Sequence, residues 1–345
     1  MASDETKRMR VVNPHARPSQ QSARAPRRYN FQRYLASKQP IDDRALNADV
    51  WATFASSLAQ RQTSREAAVV EIGSGIGTML HRLLGRGVLW NGRYLGVDAN
   101  PANAHRAEAL LASWARQHGW LVQRHGVRHQ LTAPHVRISA RFLPADYAAF
   151  ARGPAQRYAW DAVLAHAFLD LVPLESAVPS LLALLRPGGL FYFSLNFDGE
   201  TILLPTIDDA FDDQVIDAYH RTMDDRRIRG KPSGDSHTGR HLLARLPSLG
   251  GTILAAGSSD WVVVPRGGGY SDGEAYFLHF ICHTLWTALR RSERIDPTRL
   301  KRWIERRHRQ VEQGELIYIA HQLDVVGTIG RQPDSASGQL AVSRQ

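Results

Sequence analysis

The sequence predicts an α/β fold, a mostly parallel sheet with helices on both faces, carrying an N-terminal helical extension and helical insertions. Three observations predict it. Five short apolar runs alternate with helix-period segments between about residues 67 and 195. The first run ends in a glycine-rich turn, Gly73-Ser74-Gly75-Ile76-Gly77, and the second ends on a carboxylate, Asp98. A turn signal, Arg186-Pro187-Gly188-Gly189, separates the last helical segment from the last apolar run.

Taken along the chain, Phe31 to Gln60 reads as one or two helices. Ala45, Leu46, Val50, Trp51, Phe54 and Leu58 recur near helical spacing, and Asp42 or Asp43 stands where a cap is expected. Ala67-Ala68-Val69-Val70-Glu71-Ile72 is the first strand, and Thr78 to Leu84 resumes the helical period. Tyr94 to Val97 is the second strand. The helix after it opens at Pro101, a residue suited to a first turn, and buries Ala107, Leu110, Leu111 and Trp114. Gly119 to Pro134 has no assignable period and reads as an excursion before a third strand, Val136 to Leu143. Asp161 to Ala165 is the fourth strand, Leu174 to Leu185 a helix, and Leu190 to Leu195 the fifth strand. Beyond Phe197 the pattern loosens. Helices are predicted at 208–228, 241–249, 274–290 and 297–313, and strands at 252–256, 261–264 and 316–326. The organisation expected is therefore a disordered basic tail over 1–30, a helical lid over 31–64 and a ligand-binding core over 65–200. Substrate-side insertions with the last strands span 201–330, and a loose end spans 331–345.

Composition narrows the function classes. The 345 residues, 43% apolar and 22% charged, have the balance of an ordinary globular chain. No apolar run is long enough to span a membrane, and the first residues lack the apolar core of a secretory signal. Cys282 is the single cysteine, which excludes an intrachain disulfide framework and a cysteine-rich metal site; a cytoplasmic setting is the default expectation. The net charge of +10 points toward polyanions, but its distribution tempers that. Half of the excess lies in residues 1–30, where seven basic residues stand against Asp4 and Glu5, and a second cluster runs from Arg290 to Arg309.

The spacing Gly73-x-Gly75-x-Gly77 places Thr78 where a dinucleotide-binding turn would have its last glycine, which disfavours a nicotinamide cofactor. Val69-Val70-Glu71-Ile72-Gly73-Ser74-Gly75-Ile76-Gly77, Leu95-Gly96-Val97-Asp98 and Leu184-Leu185-Arg186-Pro187-Gly188-Gly189-Leu190 together resemble the class I S-adenosylmethionine-dependent methyltransferase family. The likeness covers Ala67 to Asp198. It implies a Rossmann-like, seven-stranded sheet whose last strand is antiparallel, and S-adenosylmethionine as the cofactor. It also implies that Gly73, Gly75 and Gly77 lie under the methionine portion, Glu71 near the ammonium and Asp98 on the ribose. Asp146 falls where the family often has a side chain on the adenine amine.

On the acceptor side, His166 after the fourth strand is the candidate general base, because imidazole titrates near neutral pH. His220, Asp235 and His237 in the insertion are candidate substrate contacts on a lid-like polar loop. No metal set is evident. The leading expectation is methyl transfer to a small molecule. RNA or protein as acceptor, docked on the basic segments, is the alternative, and a binding protein without activity is another.

Overall fold

The computed structural model describes residues 24–153, 156–228 and 230–330. The loose end predicted over 331–345 lies outside these residues, as does most of the predicted basic tail. The part of the tail that is described departs from expectation. The Tyr29 ring stacks on His283 with centroids 4.1 Å apart, and Asn30 caps the first helix through a hydrogen bond from Arg33 N. An aromatic anchor in a polar segment is enough to order it.

Helices α1 (Phe31–Ala45) and α2 (Ala48–Gln62) precede the sheet. Asn47 is the cap between them, its side chain accepting from Asp49 N and Val50 N; Asp42, expected as a cap, is buried inside α1. Strand β1 (Ala67–Ile72) is buried throughout and passes through the glycine turn into α3 (Thr78–Gly85). Strand β2 (Asn91–Asp98) leads to α4 (Pro101–Gln117), capped by Asn100. The stretch after α4 folds as an antiparallel hairpin, β3 (Leu121–His125) and β4 (Arg128–Ala133), continued by β5 (Val136–Pro144). A short helix α5 (Tyr147–Arg152), β6 (Trp160–His166) and α6 (Leu174–Leu182) follow.

Strand β7 (Leu185–Leu204) is far longer than the apolar run at 190–195. The Arg186–Gly189 segment is a bulge within it, because Trp160 pairs with Leu185 while Ala162 pairs with Leu190. Beyond it come α7 (Asp209–Asp224), the two-residue strands β8 (Arg227–Ile228) and β9 (Lys231–Pro232), and α8 (Thr238–Ser248). The chain ends in β10 (Gly251–Ser258), β11 (Trp261–Val263), α9 (Asp272–Leu289), α10 (Pro297–Glu312) and β12 (Ile317–Ile329).

The main sheet runs β10-β12-β7-β6-β1-β2-β5-β4-β3, with β11 on β12. Its central part, β10 to β5, has the seven strands that the family resemblance implies. β12 is antiparallel to both of its neighbours, while β7, β6, β1, β2 and β5 are mutually parallel. The sheet as a whole has ten strands rather than seven. The unassigned stretch adds the β3–β4 hairpin at one edge, and Trp261–Val263 adds β11.

Alternation along the strands separates two cores. Val69, Ala162, Leu164, Leu190 and Tyr192 pack with α2, α3 and α4, whereas Val70, Val163, Ala165, Phe191 and Phe193 pack with α6 and α8. A third core forms where β7 and β12 continue past the other strands. There Leu203, Tyr318 and Ala320 meet α7, α9 and α10, with Ile41 of α1 among them.

Candidate functional site

The carboxyl ends of β1, β2 and β6 meet α1 around a cavity of about 380 Å³, within the usual range for small-molecule sites. Parallel strands bring this about, since every crossover returns the chain to the same edge and leaves the strand ends open there.

The floor is the glycine turn. Gly73, Gly75 and Gly77 have φ of +72°, +51° and +80°. At Gly73 a Cβ would stand 2.3 Å from the Phe168 ring, so both backbone and space require glycine. Gly73 N and Ser74 N both donate to Val97 O, tying the turn to the end of β2. Asp98 is held against the same turn. Its Oδ2 accepts from Gly75 N at 2.8 Å, and its Oδ1 accepts from Asn100 N at 2.9 Å and Asn103 Nδ2 at 3.1 Å. A carboxylate has roughly four acceptor positions, so one on Oδ2 remains for a ligand.

Glu71 lines the cavity from the last turn of β1 and is buried. Its Oε2 accepts from the Tyr94 hydroxyl. Burial pushes its carboxyl up to about 8, against the pull of that hydrogen bond and of Arg82. Ser74 Oγ, in the cavity wall, is buried without a partner. Asp146 lines the opposite end and caps α5, its Oδ1 accepting from Ala148 N and Ala149 N.

His166 also lines the cavity, but both of its ring nitrogens are engaged. Nδ1 lies 2.8 Å from Ser194 Oγ, and Nε2 lies 3.1 Å from Arg82 Nη1 and 3.2 Å from Asp42 Oδ2. Burial, then the Arg82 charge, lowers its pKa to about 4, so the ring is neutral at pH 7. Its partners come from β7 on one side and from two different helices, α1 and α3, on the other. Asp42 Oδ2 receives Lys38 Nζ at 2.6 Å, and Asp42 Oδ1 receives Trp261 Nε1 at 2.9 Å. Burial alone would raise Asp42, yet Lys38, the His166 hydrogen bond and Arg82 together hold it well below the usual carboxylate range. Ala167, next to His166, has φ of +49°, an unfavourable value for a residue with a Cβ. This turn carries Phe168 under Gly73.

The rest of the cavity wall is mostly apolar, with Phe31, Leu35, Leu171, Val172 and Ile228. Helix α1 reaches over it, and Gln32 Nε2 donates to Asn103 Oδ1 at 3.0 Å across the rim.

Glu71, Gly73, Gly75, Asp98, Asp146 and His166 therefore surround one space, and Gly77 closes the turn beneath them as the cap of α3. The three insertion candidates do not join them. His220 lies 3.1 Å from Thr201 Oγ1 in a separate acidic cleft with Glu200, Asp213 and Asp217. Asp235 shapes the turn into α8, accepting from His237 N at 2.8 Å and pairing with His241 at 3.0 Å. The His237 ring packs against Gly199 and its Nδ1 meets Ser236 Oγ. A polar loop rich in hydrogen-bonding side chains here satisfies itself.

Sequence reasoning missed Lys38, Asp42 and Arg82. The four-residue spacing of Lys38 and Asp42 was a signal, but such pairs are usually solvated on a helix surface. The basic cluster of α10 is also less available than its composition suggests, since Arg307 is buried on Asp212 and Arg299 pairs with Asp208.

No family model matches the chain, and no curated protein matches it. Several solved structures align with it at low identity and with TM-scores below 0.5. A Bacillus halodurans protein assigned as a methyltransferase is 12% identical over 80% of this chain and 98% of that one, with a TM-score of 0.45. A Haloferax volcanii protein complexed with the Trm112 methyltransferase activator is 16% identical over 88% and 97%, at 0.43. A Thiobacillus denitrificans S-adenosylmethionine-dependent methyltransferase, bound to S-adenosyl-L-homocysteine, is 15% identical over 88% and 98%, at 0.42.

Proposed function

We propose that this chain is an S-adenosylmethionine-dependent methyltransferase acting on a small, largely apolar acceptor. The observation that carries the reading is the glycine turn bound to Asp98 at the open edge between β1 and β2. The residues present fit the group. Gly73 leaves a surface that a Cβ would obstruct, and Ser74 Oγ is an unsatisfied donor beside it. Glu71 is a buried carboxyl without a cation in direct contact, so an ammonium group there would favour its ionised form. Asp98 retains an acceptor position for a ribose hydroxyl. Asp146 and Tyr147 bound the end where an adenine would lie.

When bound, S-adenosylmethionine supplies a methyl group on a sulfonium, a leaving group that needs no further activation. The protein's part is alignment and exclusion of water. Phe31, Leu35 and Ile228 line the acceptor side, where α1 lies over the cavity, which favours a small acceptor. His166 is assigned a positioning role rather than that of a base, because neither nitrogen is free to take a proton. It ties the end of β6 to α1 and α3, and so sets where α1 lies over the cavity. This arrangement suits an acceptor atom that is already nucleophilic.

Calorimetric titration of S-adenosylhomocysteine tests the cofactor part. Asp98→Ala is expected to weaken binding roughly 10- to 100-fold, the size of a lost charge-assisted hydrogen bond. Unchanged affinity would remove the ribose assignment. Incubation with methyl-labelled cofactor and a fractionated lysate then tests the acceptor class; label appearing only in macromolecules would overturn the small-molecule reading.

A further inference from the structure

A second cleft lies on the sheet face away from α4, and it shares no lining residue with the cavity above. Tyr94, Leu131, Ile138, Ala140 and Phe142 turn into the core beneath α4. By alternation Arg93 of β2, Arg128 of β4, and Ser139 and Arg141 of β5 turn to the opposite face. The register confirms their proximity, with Arg93 beside Ser139 and Leu95 beside Arg141. Crossover helices normally cover such a face. Here the one α-helix among the described residues between β5 and β6 is the six-residue α5, and Arg93 and Arg128 stay exposed. The cleft of about 280 Å³ is closed on one side by Trp160 and Gln156.

Its chemistry is one-sided. Three arginines line it, and none of them pairs with a carboxylate among the described residues. Arg93 packs on the Trp160 ring and spends one Nη2 bond on Ala159 O. Two donors in the wall are buried without partners, Trp160 Nε1 and Arg141 Nε, and Trp160 itself is only 6% exposed. Buried donors usually find an acceptor, so an unpaired indole and an unpaired guanidinium nitrogen together call for one. Arg65 and Arg186, by contrast, are neutralised by Asp161.

We propose that this cleft binds a phosphate-bearing ligand. Arg93, Arg128 and Arg141 supply the charge, and Ser139, Gln156 and the Trp160 indole supply neutral donors. Guanidinium groups match phosphate oxygens in pairs, and a shallow cleft on an open sheet admits either a phosphate ester or the backbone of a nucleic acid strand.

The test uses the full chain at low salt, with inorganic pyrophosphate by calorimetry and a labelled single-stranded RNA decamer by anisotropy. Pyrophosphate is expected to bind. Arg93→Gln with Arg128→Gln, both exposed side chains, should weaken it about tenfold or more while leaving the thermal midpoint unchanged. Trp160→Phe keeps the packed ring, removes the donor, and should weaken binding several-fold. RNA binding that is tighter than pyrophosphate, displaced by it and steeply salt-dependent assigns the natural source to a nucleic acid backbone. RNA no tighter than pyrophosphate assigns it to a small phosphate ester. Binding of neither probe, or binding undiminished in the arginine pair, overturns the proposal.

Discussion

Glu71, in the cavity wall, and Asp42, bonded to His166 beside it, are perturbed in opposite directions, for one reason. Both are fully buried, but only Asp42 has cations within bonding distance. Two consequences follow for pH. Glu71, raised to about 8 in the fold from 4.5 unfolded, opposes stability increasingly as pH rises from 4.5 to 8, and Glu71→Gln should remove that slope in denaturant titrations. Since a cationic ligand favours the ionised form, affinity for S-adenosylhomocysteine should rise with pH between 6 and about 8. A flat profile would separate Glu71 from the ammonium. Gly73→Ala combines a strained φ with a clash on Phe168, and should abolish ligand binding. Phe168→Ala in that background should restore part of it if the ring, rather than φ, is the main obstacle.

At the scale of elements, α1 is the part whose placement decides how the cavity is enclosed. It is fixed by charge. Lys38, Arg82 and His166 converge on Asp42, and Arg82 Nε also donates to Asp43. Asp42→Asn would leave buried cations uncompensated, a change that typically costs about 3–5 kcal/mol. The expected result is a lower midpoint in urea together with loosened α1 amides in hydrogen exchange. Wild-type stability from Asp42 should be complete above about pH 4 and be lost as pH falls below it, because the folded pKa is depressed. Exchange unchanged along α1 would mean that packing of Ile41 and Tyr34 against α9, rather than the ion cluster, holds the helix.

For the whole molecule, β7 and β12 decide cooperativity. The two strands run from the central sheet, where Phe193 pairs with Val325, into the third core, where Leu203 pairs with Tyr318. The helical layer of α7, α9 and α10 therefore shares its backbone with the ligand-binding core. Phe277→Ala, at a fully buried position in that layer, should cost about 3–5 kcal/mol. Circular dichroism and tryptophan fluorescence are expected to report one coincident transition in this variant. Two separated transitions would show that the layer unfolds by itself.

Strands β1, β2, β5 and β6, the glycine turn and Asp98 were legible in the amino-acid order because local physics alone selects them. An apolar run ends where a chain must reverse, glycine is required where φ is positive, and a carboxylate is placed at a strand end. The full length of β7 was not legible, because polar residues follow its apolar run from Asn196 on, nor was the hairpin at 121–133, because a largely exposed sheet edge carries little hydrophobic period. Nor could composition show that Asp235 and His237 satisfy their own turn while Lys38 and Asp42 lie beside the cavity. Spacing along a chain records neighbours in sequence; the partners that neutralise a charge or leave it free come from helices and strands brought together only by the packed fold.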